Sequence, residues 1–340
     1  MLSRDYFDSI CGAVYIPTRA YNAFQQWRDY SSEVTERDLG YAQSVNVNSL
    51  RVWMSYEYWL TNSDEFERKF EDFLRIADGK GIRVMPSLFE CCGREPSEEH
   101  INDTDQFTGT AVRSPGTEIT NDEKRWNEPF QFVDWFLDRY KDDERILAIE
   151  VTNEPKTVED HLFGLALLKK VKGAGGTIPV TLGGQELCDN ILYRDYIDIY
   201  QTHENIILSE CSLRSHLSRI QMIEEIDKKP IWITEWQRLR KSGVGFDSEY
   251  VAKDELRPLH ASMAYLYREY NIGNFVWSLM LKPAYLTGQR KVGTFSGLFH
   301  EDGSVFSLED ARAVSGISDL VLPEKHTLPD CFDRVAALSE

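Results

Sequence analysis

The sequence predicts a (β/α)8 TIM barrel folded as a single domain over residues 1–340. Three observations carry that prediction. Eight short apolar runs alternate along the chain with segments of helical character. Most of the runs are close to continuously apolar, as strands buried on both faces of a parallel sheet are. The 340 residues show no composition break, repeat or low-complexity stretch, which suits one large α/β unit. An open, doubly wound sheet is the alternative arrangement for the same alternation.

The first strand is read in "ICGAVYIP" over 10–17, followed by a helix over 32–46 with Ser32 as its N-cap candidate. "NSLRVWMSY" over 48–56 is the second strand. The helix after it, 63–81, has the clearest pattern: Ser63 or Asp64 to cap it, Phe66, Phe70, Phe73 and Leu74 as one stripe, and Gly79 or Gly81 to end it. The third strand is "IRVMPSLFE" over 82–90. A long, polar, irregular segment covers 91–127, and a loop of that length in a compact domain usually has a function or moves. A helix over 129–140 leads to the fourth strand, "ILAIEVTNE", and a helix over 159–175 follows. Strands at 178–184 and 197–203 flank a short helix in "DNILYRDY". A helix over 213–226, a strand over 229–236, a helix at about 255–271, a strand over 274–280 and a helix over 307–317 complete the eight units. Residues 318–340 form a C-terminal extension.

The net charge is −18, from 38 Lys and Arg against 56 Asp and Glu. A field of that sign repels nucleic acid and anionic lipid, so neither is expected as a partner. The six cysteines are scattered, without CxxC or framework spacing, and read as reduced thiols. With no signal-peptide hydrophobic run at the N-terminus, a cytoplasmic protein is expected, or a secreted one if a signal has been removed. No apolar stretch approaches the length that spans a membrane. HxH, HExxH, P-loop and GxSxG patterns are all missing, and "KGAGGT" lacks the helix-opening context of a dinucleotide motif. No metal and no cofactor is therefore expected.

In such a barrel the reactive residues stand at the C-terminal ends of the strands. The ends here carry Arg51 and Trp53 (second strand), Asn153 and Glu154 (fourth), His203 (sixth), Glu235 and Trp236 (seventh) and Trp277 (eighth). Glu154 alone reads as a carboxylate favoured by the start of the next helix. Glu235 alone reads as a buried, paired carboxylate. Together they differ by 81 residues, or three βα units of about 27 residues each, which places them across one mouth. Two carboxyl groups facing across a sugar-sized gap are the equipment of glycoside hydrolysis, one protonated to assist the leaving group and the other ionised.

These motifs carry a resemblance. "TNEP" at the fourth strand end, "ITEW" at the seventh, an Arg inside the second, "VWSLM" at the eighth and "GLFHEDGS" after it resemble clan A retaining glycoside hydrolases, with family 5 nearest in style. The resemblance spans about residues 10–317 through these short motifs. It implies double displacement, with Glu154 as general acid/base and Glu235 as nucleophile. It further implies that Asn153 holds a sugar 2-hydroxyl, Arg51 keeps Glu235 ionised and Trp277 floors the cleaved subsite. His203 and Trp53 join the substrate-binding set. Two departures stand out: "THEN" puts Asn205 where family 5 has a Tyr that touches the nucleophile, and "PSLFECCG" lacks the family's His near the third strand end.

The expected activity is that of a retaining β-glycosidase on short oligosaccharides or glycosides, exo-acting, of β-galactosidase, β-mannosidase or β-glucosidase type. An endo-acting cellulase or mannanase is the alternative, and a non-catalytic sugar-binding barrel is the rival from another class.

Overall fold

The computed structural model describes residues 9–238, 261–284, 290 and 294–328. Eight strands form one parallel sheet: β1 (Cys11–Val14), β2 (Ser49–Trp53), β3 (Arg83–Ser87), β4 (Ile149–Asn153), β5 (Val180–Gly183), β6 (Tyr200–Glu204), β7 (Ile231–Trp236) and β8 (Asn274–Val276). The order along the sheet is β5-β4-β3-β2-β1-β8-β7-β6, so consecutive strands are neighbours and β1 pairs with β8. This is the (β/α)8 barrel, and the open-sheet alternative falls with the β1–β8 pairing.

Single bonds close the remaining seam, between β5 and β6. Asp198 N–H donates to the Val180 carbonyl at 2.8 Å, and Thr181 Oγ1 to the Ile199 carbonyl at 2.8 Å. Asn190, from the short helix Asn190–Tyr193, stands in for a missing strand neighbour. Its Nδ2 donates to Gln201 O at 2.7 Å and its Oδ1 accepts from Gln201 N at 3.0 Å. Both backbone groups of a buried strand residue are thereby satisfied, as burial requires.

The core has two shells. Trp53, Met85, Ile199, Trp232 and Phe275 pack together inside the barrel. Leu50 and Val52 point the other way and join the helix layer with Phe66, Phe70 and Leu74. Gly12 on β1 is what lets Phe275 in, because a Cβ there would lie 2.3 Å from the ring. The stripe read from the sequence is buried and packs on aromatic neighbours: Trp27 lies 5.1 Å from Phe66 and 5.6 Å from Phe70.

Several local expectations shift. The helix Ser32–Ser44 is capped by Ser31, whose Oγ accepts from Val34 N, and Ser63–Gly79 is capped by Asn62. In both the named residue is already helical, and the cap sits one position earlier with non-helical backbone. Segment 91–127 is ordered rather than irregular. It holds the helices Glu98–Asn102, Thr117–Thr120 and a 3-10 turn at Glu123–Arg125. Bridges Arg94–Val112 and Glu90–Ser114 fold it back on itself. Of the helix expected at about 255–271, Ala264–Glu269 is seen, while 255–260 lie outside the described residues, as do 329–340 of the extension.

Replacing Asn190 by Ala leaves Gln201 N–H and C=O buried without partners. We expect a loss of about 2–4 kcal/mol in guanidinium unfolding, since each orphaned group costs about 1–3 kcal/mol. A change within about 0.5 kcal/mol, the range of ordinary surface substitutions, would mean that water closes the seam instead.

Candidate active site

Arg51 occupies the centre of the barrel mouth and is completely buried. Its Nε and Nη2 bind the two oxygens of Glu150 at 2.8 and 2.6 Å, Nη1 binds Glu235 Oε1 at 2.6 Å, and Nη2 also donates to Asn153 Oδ1 at 2.6 Å. Burial works against the charge of this guanidinium, but Glu150 and Glu235 more than offset that. Its carbon lies 4.8 Å over the Trp53 ring. Arg51 is thus clamped by β4, β7 and the aromatic floor together. Gly183 on β5 makes the space: a Cβ there would sit 3.0 Å from Arg51 Nη2, Asn153 Oδ1 and Glu150 Oε1 alike.

Glu235 faces the mouth with both oxygens held. Oε1 takes Arg51, and Oε2 accepts from Asn205 Nδ2 at 3.0 Å. Asn205 is braced in turn by Gln237 Nε2 at 3.3 Å. A shift of register between Thr202 and His203 sets His203 beside Glu235 in the β6–β7 ladder.

Glu154 follows β4 with φ of 43°, a left-handed conformation rare for a side chain of its size, and precedes Pro155. Its amide donates to Gly183 O at 2.7 Å, which fixes the turn. Oε1 meets His203 Nδ1 at 2.6 Å. Oε2 accepts from the Cys92 thiol at 2.9 Å and Gln185 Nε2 at 3.2 Å, with Lys156 Nζ at 3.9 Å. Burial pushes the Glu154 carboxyl up, but the hydrogen bond and charge of His203 overrule it and hold it at about 2. His203 is shifted upward reciprocally: burial opposes its charge, and Glu235 and Glu154 restore it.

One oxygen of Glu154, one of Glu235 and a ring nitrogen of His203 all lie within 4.8 Å of one another. Such a trio has the donor types for a metal ion. However, Arg51 Nη1, 2.6 Å from Glu235, is a fixed positive charge that a divalent cation would have to approach.

The aromatic residues divide. Trp277 is 9% exposed and stands edge-on to Trp53 at 5.7 Å. Trp53, at 1% exposed, supports Arg51 and Trp277 and offers a ligand almost no surface. Tyr56, Tyr58 and Trp59 belong to a short helix, Tyr56–Thr61, and pack on Phe66 and Phe132. Trp236 and Phe89 are core, Trp236 lying 4.5 Å from Tyr267. Asn153 spends its amide on protein, with Oδ1 on Arg51 and Nδ2 on Glu90 at 3.0 and 3.2 Å.

Glu90, Cys92, Glu150, Gln185 and Asn205 were not among the residues expected here. Glu150 had a signal, being a charge inside an apolar strand. Gln185 and Cys92 had none, since both come from loops whose paths depend on tertiary contacts.

Gly183→Ala should lower unfolding stability by about 1–3 kcal/mol, because the three crowded groups are buried and already bonded and cannot retreat. An Ala variant as stable as the parent would show that the cluster has slack.

No family's sequence model matches the chain, and no curated protein matches it. Solved structures do. A GH5_18 protein from Streptomyces cattleya, solved with Manb1-4GlcNAc, superposes with a TM-score of 0.62 at 12% identity, covering 92% of this chain and 83% of that one. An endo-1,4-beta-D-mannanase from Thermotoga petrophila gives 0.59 at 11%, covering 91% and 99%. An exo-beta-1,4-mannosidase from an Opitutaceae bacterium gives 0.59 at 14%, covering 90% and 58%. At such identities the likeness is one of fold, and the fold is the (β/α)8 barrel that these glycoside hydrolases share with this chain.

Proposed function

We propose that the protein is a retaining β-glycosidase acting on short oligosaccharides, with Glu235 as nucleophile and Glu154 as general acid/base. The carrying observation is the approach of Glu154 and Glu235 oxygens to within 4.8 Å. Retaining enzymes hold their carboxyl groups about 5–5.5 Å apart, and inverting ones about 6.5–9.5 Å to admit a water. The spacing supports the first.

The chemistry follows from the partners. Arg51 and Asn205 hold both oxygens of Glu235 and aim it at the anomeric carbon. A Glu235–sugar ester forms as the glycosidic bond breaks, and the departing oxygen takes a proton from Glu154. Water, deprotonated by Glu154, then attacks the same carbon and frees Glu235. Glu154 begins this cycle ionised, and its proton is stored 2.6 Å away on His203 Nδ1. A sugar that fills the mouth displaces water, and a drier site favours the neutral pair over the ion pair. Substrate binding therefore drives the proton onto Glu154, where the leaving group needs it.

One feature supports exo-action on small substrates, and another bears on the sugar. Segment 91–127 folds back beside the ends of β3 and β4, bridged through Glu90–Ser114 and pinned by Arg113 to Asp160 at 2.5 Å, where it would wall that side of the mouth. The fold neighbours include proteins named as mannosidase and mannanase and one holding Manb1-4GlcNAc, which puts β-mannosides first among the sugars to try.

A panel of nitrophenyl β-glycosides tests the reading, with β-mannoside expected to turn over and the first product keeping the β-anomer by NMR. Glu235→Ala should cost about 10⁴-fold or more in kcat, with partial rescue by azide and little change in melting temperature. Chelators should leave turnover unchanged. Sugar binding without turnover on any member of the panel would instead identify a non-catalytic barrel.

A further inference from the structure

Glu90 is a fourth carboxyl group in this mouth, after Glu150, Glu154 and Glu235, and the double displacement does not use it. It stands three residues past β3 and is 2% exposed. No salt bridge to Glu90 is found among the described residues. Its recorded side-chain partners are two N–H donors: Cys92 N on Oε1 at 2.6 Å, and Asn153 Nδ2 at 3.0 Å from Oε1 and 3.2 Å from Oε2. The cations near it among the described residues are already bound elsewhere. Arg51 serves Glu150, Glu235 and Asn153, His203 serves Glu154, and Lys156 lies toward Glu154. Arg113 serves Asp160 and Cys91 O. Glu154 and Glu235 face it as carboxylates.

We propose that Glu90 works as a neutral carboxylic acid that positions Asn153, and that its ionisation disarms the site from the alkaline side. The proposal rests on the glycosidase reading for its effect on turnover, but not for the state of Glu90. Asn153 has two ends to satisfy. Arg51 fixes the oxygen end, and Glu90 fixes the nitrogen end. That choice settles which way the amide points and ties the loop after β3 to the end of β4, immediately before Glu154. A carboxylate at Glu90 would still accept the amide, but it would also add an unpaired negative charge beside the paired carboxylates of Glu154 and Glu235. That charge would compete for the hydrogen of Cys92, draw on Lys156 and raise the proton affinity of the Glu154–His203 pair.

The electrostatics agree with the geometry. Burial first, and then the charges of Glu154 and Glu235, push the Glu90 carboxyl up to about 8 against the bonds from Cys92 N and Asn153. The other groups facing it stay fixed through this range. Cys91 and Cys92 are pushed up by burial and remain thiols, Lys156 is shifted upward, and Arg51 stays charged. His203, itself shifted upward, is a further titratable neighbour among the described residues, so the test must separate the two. The folded chain keeps on Glu90 a proton that the unfolded chain has released. This contribution to stability is full below the ordinary value of 4.5 and fades as pH rises to about 8.

Glu90→Gln, an isostere of the neutral acid, separates them. The variant should keep near-wild-type kcat/KM at about pH 6 and lose the alkaline fall centred near 8, while His203 is untouched. Glu90→Leu, with similar volume and no acceptor, should lower kcat by about 10–100-fold through a released Asn153. Two readouts need no turnover. In infrared difference spectra the wild type should show a protonated-carboxyl stretch, absent from the Gln variant, that vanishes as pH passes 8. The wild type should also lose melting temperature relative to the Gln variant as pH rises from 4.5 to 8. A Gln variant as dead as Glu235→Ala, or an alkaline limb and melting profile identical to wild type, overturns the proposal. If the wild type shows no glycosidase turnover, the glycosidase reading fails, and the infrared and melting measurements still decide the state of Glu90.

Discussion

Everything at the barrel mouth depends on how Arg51 is kept charged without water. A guanidinium at the centre of a barrel has lost its hydration, and the attraction of a single carboxylate rarely repays that loss. The chain supplies Glu150 as a two-point fork, Glu235 as a second anion and Asn153 as a neutral acceptor. Once these are in place, other choices follow. Position 183 must lack a side chain. Trp53 must lie flat beneath the cation rather than reach for a ligand. Glu235 can be buried to 5% exposure, because its partner Arg51 is fixed beside it.

Much of this was legible in the sequence, and the reason is physical. Strands buried on both faces read as apolar runs, so a charge inside or just past one marks itself as an exception that must be paired. Arg51, Glu154 and Glu235 were visible on that basis, and the interval between the glutamates placed them across one mouth. The barrel was visible for the same reason, since eight such runs alternating with helices leave few ways to cover a parallel sheet. Glu150 carried the same signal, and its two-point hold on Arg51 accounts for it.

The unread part has a common cause. Glu90, Cys92, Gln185 and Asn205 lie beyond strand ends, where side-chain direction depends on bulges and turns rather than on a period of two. Asn205 is instructive. The sequence showed a departure from the expected Tyr, and only the structure shows that the shorter amide still reaches Glu235 at 3.0 Å. Segment 91–127 misled in the opposite sense. Its polar composition suggested irregularity, yet buried Ala111 and Val112 and the Arg113–Asp160 pair pin it to the barrel. Caps, too, fell one residue early, because a cap is defined by backbone angles that composition does not report.

The charge balance of the site limits what each group can be. Glu150 and Glu235 share Arg51, Glu154 shares a proton with His203, and Lys156 stands at the rim within 3.9 Å of Glu154. That leaves three carboxylates against two enclosed cations, already one negative charge in excess inside a low-dielectric cup. A fourth carboxylate at Glu90 would double the excess with no unengaged cation beside it among the described residues, so the least costly state of Glu90 is neutral. The same accounting gives His203 its purpose. If the imidazole were uncharged while Glu154 remained ionised, the excess would rise again, so the two groups must keep one proton between them. In the proposed double displacement, an acid that is ionised at rest would then still find its proton within reach, 2.6 Å away on His203.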